Sequence, residues 1–186
     1  MSRNAQEKQN QIILSINPKE MKIRFFALIA FGFTFASAFA QKSTDFEAIT
    51  IEGEQIKLSS LKDKVIVLNF WFKNCRPCRQ EIPDLHLLTQ KYKDKEVVFI
   101  ALSLDSEKEV KEFLSENEFA YKHIANARYI ANKWNIKGYP TNIVIDKNGK
   151  VIFRVSGLEV IPDANGTYKP LTPQNIDKKI EKALQR

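Results

Sequence analysis

The chain has 186 residues, of which 44 % are hydrophobic and 27 % charged, and it carries a net charge of +7. That length suits one domain with short extensions, and the composition excludes a disordered, collagenous or coiled-coil chain. Residues 1–40 hold five basic and two acidic residues, +3 of the total, and the remaining +4 is spread among charges of both signs, as at Lys91, Lys93, Asp94, Lys95 and Glu96. No basic stripe of the kind that follows phosphates is present, so nucleic acid is not an expected partner.

Lys22 and Arg24 precede an apolar run from Phe25 to Phe35, and Ala38-Phe39-Ala40 then supplies small residues before Gln41. Charge, length and cleavage site together read as a secretory signal peptide. Its proportions are ordinary if translation starts at Met21. Residues 1–20 are then a non-native or mis-assigned extension, 21–40 the signal peptide and 41–186 the mature domain. The expected location is the periplasm or cell envelope, with a membrane tether only if the signal stays uncleaved.

In the mature chain, Phe46–Ile51 and Gln55–Leu58 flank a turn containing Gly53, which predicts a hairpin. Val65–Phe72 and Val97–Leu102 are nearly unbroken apolar runs rich in branched residues, as strands buried on both faces must be. Between them, Ile82, Leu85, Leu88 and Tyr92 recur at helical spacing and predict a helix from Arg76 to Tyr92, with a kink at Pro83. Strand, helix and strand make one βαβ unit. A second helix spans Ser106–Asn117, with Ser106 as its cap, and a third spans Ala127–Trp134. Thr141–Ile145 and Val151–Val155 flank Asn148-Gly149, a hairpin signal. Ile161–Pro170 reads as a loop, and Thr172 caps a last helix that starts at Pro173 and runs through Ala183.

Both cysteines belong to one motif, Cys75-Arg76-Pro77-Cys78, so no disulfide framework can be holding the fold together. The motif falls where the buried strand gives way to the helix. A thiol there feels the positive end of the helix dipole and nearby amide donors, which favour thiolate over thiol. Cys75 is therefore the expected nucleophile, and Cys78, one turn deeper, the resolving thiol. A zinc site would need two further ligands, and the spacing of His86 and His123 matches no finger or knuckle. Neither metal nor cofactor is expected, and both histidines read as surface residues.

Glu81, three residues after Cys78, shares its helical face and either serves proton transfer or is an ordinary surface residue. Asn69 is a polar side chain in the buried strand, on the same side as Trp71, and must find a partner. Trp71, four residues before Cys75, is expected to pack and to flank the thiols beside a substrate. Tyr139-Pro140 precedes a strand, where proline is expected at an edge, a turn or a cis bond.

The stretch from Asn69 through Cys75-Arg76-Pro77-Cys78 to Pro83 resembles the thioredoxin superfamily. More narrowly it resembles the exported TlpA-like and ResA-like thiol-disulfide oxidoreductases, with a domain of the AhpC/TSA-redoxin type. Leu58–Lys62, Leu102–Asp105, Gly138–Thr141 and Val144–Gly149 extend the likeness in the same order and spacing. The resemblance implies an α/β thioredoxin fold: a central mixed sheet flanked by helices, with an extra N-terminal β-hairpin. It implies a cis Tyr139–Pro140 bond facing the cysteines, where the Tyr139 backbone pairs with a bound substrate strand. It also moves the proton-relay role to Glu81, because Asn69 stands where cytoplasmic thioredoxins carry an aspartate.

The activity implied is disulfide reduction through a Cys75/Cys78 couple, with apocytochrome c thiols as one client class in the subfamily. Expected partners are client proteins with disulfides or thiols and a membrane electron-donor protein. A peroxiredoxin-like peroxidase is an alternative without its signature, since Leu68 and Phe72 stand where Pro and Thr would be required. A non-catalytic metal-handling module using the Cys pair is the other.

Overall fold

A computed structural model describes residues 44–157, 159–162, 168–170 and 172–185; the proposed extension and signal peptide lie outside them. A small antiparallel hairpin, β1 (Glu47–Ile49) and β2 (Gln55–Lys57), opens the chain. A 3-10 turn at Leu58–Ser60 follows. The main sheet has five strands, β3 (Val65–Trp71), β4 (Val97–Ser103), β5 (Lys122–Ile124), β6 (Thr141–Ile145) and β7 (Val151–Ser156), in the order β5-β4-β3-β6-β7. Strands β3, β4 and β5 run parallel, while β6 and β7 run antiparallel to their neighbours. The sheet is mixed, as the resemblance implied.

Helix α1 (Arg76–Lys91) links β3 to β4, α2 (Glu107–Glu116) links β4 to β5, and α3 (Arg128–Lys133) precedes β6. The central strand shows why an apolar run was needed there. Val65, Val67 and Trp71 point to one face, against Leu85 and Leu88 of α1, Val110 and Phe113 of α2, and Ile176 and Ile180 of α4 (Thr172–Leu184). Ile66, Leu68 and Phe70 point to the other, against Ile130 of α3, Phe46 just before the hairpin and Ile56 within it. A strand covered on both faces can expose neither side-chain set to water, so alternation disappears from its sequence.

At its far end α1 is tied to α4. Lys91 Nζ donates to Asp177 at 2.7 Å and to Glu181 at 2.9 Å, and the Tyr92 hydroxyl donates to Asp177 Oδ1 at 2.5 Å. Pro83 does not interrupt α1, which continues through it to Lys91.

Three expectations need correction. The segment read as a loop contains two short paired strands, β8 (Val160–Pro162) and β9 (Tyr168–Pro170). Residues this short, two of them prolines, carry no usable alternation. Thr172 does not cap α4: it is buried, its hydroxyl meets no partner among the described residues, and the helix already includes it. His123 is buried rather than on the surface, in β5 with its Nε2 2.8 Å from the Phe119 carbonyl, and His86 is half-buried, accepting from the Ala120 amide at 3.3 Å. A three-residue strand between longer elements left no periodic signal to betray His123.

The Ser106 cap is complete. Its hydroxyl accepts from the Glu109 amide, and the Glu109 carboxylate accepts from the Ser106 amide at 2.9 Å. Ser106→Ala should lower stability by about 1 kcal/mol in urea unfolding without altering thiol reactivity. A change below a few tenths would show that α2 is held by packing alone.

Candidate active site

Cys75 and Cys78 are joined by a disulfide at the N-terminus of α1. Cys75 occupies the N-cap position in an extended conformation, and the Cys78 amide donates to its Sγ at 3.2 Å. The first turn of α1 contains no acidic residue, so nothing cancels the positive end of the helix at this sulfur. When the pair is reduced, the same amide and dipole favour a thiolate on Cys75. Cys75 keeps 4 % of its surface exposed and Cys78 only 1 %, the ranking expected of an attacking and a resolving sulfur.

The segment that delivers Cys75 is anchored from β4. Asp105 Oδ2 accepts from the Lys73 amide at 2.5 Å and from the Ser103 hydroxyl at 2.8 Å. The loop between β3 and α1 is thus held to the end of the neighbouring strand. No sequence argument had given Asp105 this task, although it belongs to the Leu102–Asp105 motif.

Glu81 has no exposed surface, so the reading of it as an ordinary surface residue fails. Its carboxylate accepts from Asn69 Nδ2 at 2.9 Å and from Asn142 Nδ2 at 2.9 and 3.1 Å. Asn69 Nδ2 also donates to Asn142 Oδ1 at 2.8 Å, which joins the two amides. Asn69 therefore finds its partners in two side chains. Burial raises the Glu81 pKa, the two amides lower it, and burial wins, leaving the group at about 7. Asn142 was missed, although a lone amide in the buried run Thr141–Ile145 is the same signal that singled out Asn69.

Just before β6 the Tyr139–Pro140 bond is cis, Pro140 is buried, and the Tyr139 ring meets Phe72 edge-on at 5.5 Å. Trp71 is a correction. It has no exposed surface and packs on Phe113 at 4.9 Å, Phe119 at 5.8 Å and His123 at 6.0 Å, so it supports the site from beneath and does not face a substrate. Among the described residues no group of three or more His, Cys, Asp or Glu side chains is placed to hold a metal ion.

Residues 39–154 match the AhpC/TSA family. The chain belongs to that family. It is 33 % identical over 157 residues to the thiol-disulfide oxidoreductase ResA of Bacillus anthracis, covering 77 % of this chain and 90 % of that protein. It is also 33 % identical over 115 residues to the thioredoxin-like protein YneN of Bacillus subtilis, covering 60 % of this chain and 67 % of that one. Among solved structures, a thiol:disulfide interchange protein of the thioredoxin family from Chlorobium tepidum superposes with a TM-score of 0.62 at 24 % identity, over 75 % of this chain and 93 % of that chain. The fold is that of thioredoxin, and the protein is a thiol-disulfide oxidoreductase of the ResA type.

A carboxyl whose pKa is raised by folding favours the folded state while protonated. That stability is full below about 4.5 and is lost as the pH rises through about 7. The oxidised protein should therefore lose roughly 3 kcal/mol between these limits relative to Glu81→Gln, from the size of the shift. Denaturant unfolding at half-unit pH steps measures the difference; parallel curves for the two proteins would mean that Glu81 titrates normally.

Proposed function

We propose that this oxidoreductase works as a disulfide reductase on the outer side of the cytoplasmic membrane. The Cys75 thiolate attacks one sulfur of a client disulfide, forming a mixed disulfide and releasing one client thiolate. Cys78 then gives its proton to the Glu81 carboxylate and attacks Cys75 Sγ, expelling the second client thiolate and closing the enzyme disulfide. Two electrons have passed to the client, and the two client thiolates take up protons, one of them returned by Glu81. A membrane dithiol donor restores the reduced enzyme.

The observation that carries this reading is the buried Glu81 carboxylate, poised near neutrality one helical turn behind Cys78. A group that titrates near the working pH is the kind that can both take and give the resolving proton. The ResA relatives support the same class of chemistry. The charged, apolar and small-residue order of residues 21–40 supports export. Cysteine pairs of an apocytochrome c before haem attachment are one client class that such a reductase would serve.

Cys78→Ser should trap a client as a mixed disulfide on Cys75, visible as a reducible adduct on non-reducing gels, whereas Cys75→Ser should trap none. Equilibration with glutathione should place the couple near the reducing end, about −270 mV; a value near about −120 mV would make it a disulfide-forming oxidant. Protein recovered from the envelope should begin at Gln41, and an N-terminus at Met1 or Met21 would refute cleavage.

A further inference from the structure

Beside the disulfide, α1 and the C-terminal end of α2 border a cleft of about 710 Å³. Its apolar walls come from Ile82, Pro83 and Phe113, and the residues on either side of Cys75, Asn74 and Arg76, both line it. One end of the cleft therefore lies at the residues that flank the attacking cysteine. None of the chemistry assigned above uses it.

The charges of the cleft are separated along its length. Arg76 and Arg79 lie on the first turn of α1, and among the described residues neither is within ion-pair distance of a carboxylate. The Arg79 guanidinium lies 5.8 Å from the centre of the Phe113 ring, over one wall. The helix N-terminus adds to this positive end. Glu118 marks the opposite end, 3.5 Å from His86, and Glu116, one turn beyond Phe113 on α2, lines the cleft as well. His86 follows Arg76 by ten residues, about 15 Å along a helix axis. An extended peptide covers that distance in four or five residues.

We propose that the cleft holds the client segment flanking the attacked cysteine, and that it selects an acidic residue next to that cysteine and a basic residue four or five positions further on. Arg76 and Arg79 receive the acidic side chain, Glu118 the basic one, and the apolar walls take the side chains between. The inference rests on the reductase reading and names the class of client that the same site prefers.

The test uses the reduced full-length protein and fluorogenic peptide disulfides carrying Asp beside the cysteine and Lys five positions on, the reversed pattern, or Ala at both positions, on each side of the cysteine in turn. Every rate is divided by that of an uncharged small-molecule disulfide measured on the same protein. The Asp-first peptide should be reduced about fivefold faster than the reversed one, with the preference shrinking at high salt. The combined variant Arg79→Glu, Glu118→Lys should invert the order. Equal rates for all peptides, with the small disulfide still reduced, would overturn the cleft assignment and leave the reductase standing. No turnover of any disulfide would remove the reductase reading and this inference with it. Concentration-dependent dimerisation that Glu118→Lys abolishes would give the cleft to a second copy of the chain and equally overturn it.

Discussion

A carboxyl group with no access to water sits one turn behind the disulfide, held by the amides of Asn69 and Asn142. Putting a charge there is costly, and two neutral hydrogen-bond donors offset only part of the cost. Cationic partners would hold the carboxylate permanently ionised, and a wholly apolar pocket would hold it permanently protonated. Two amides leave it between these limits. Much of the surrounding architecture serves that balance, since β3 and β6 must bring the two asparagines under α1, and α1 must carry Glu81 inward on the turn after Cys78.

The same helix divides the chemistry by depth. At its N-cap the free amides and dipole act on Cys75, and one turn later those effects fade and Cys78 has the buried Glu81 carboxyl one turn further along the same helix. Asp105 holds the entry to the helix, while Lys91 and Tyr92 hold its exit against α4. The two sulfurs therefore react from a rigid element, and their different environments follow from position along one helix.

The parts legible in the sequence were those whose signal is periodic or local. Val65–Phe72 and Val97–Leu102 could only be buried strands, and Cys75 could only begin a helix that buries Ile82, Leu85 and Leu88. Asn148-Gly149 marked its hairpin, and Ser106 its cap. What escaped depends on distant contacts. Whether Glu81 is buried or exposed turns on Asn142, 61 residues away, and spacing on one helix says nothing of that. His123 belongs to a three-residue strand that exists because β4 is there to pair with it. Counting residues sets Trp71 beside the thiols, but strand geometry turns its side chain down into the core.

Asn69 and Asn142 are direct partners in the antiparallel register of β3 and β6. A slip of one residue would send Asn142 to the opposite face, remove its donors from the Glu81 carboxylate and set an amide among the apolar contacts of Ile130 and Trp134. Purely aliphatic strands, such as the neighbouring Ile66–Leu68 and Ile143–Ile145, would tolerate such slippage more readily, because one branched side chain resembles another. The polar bridge that holds the buried Glu81 carboxyl also tells the two strands where to align, so the make-up of the site is written into the specificity of the fold.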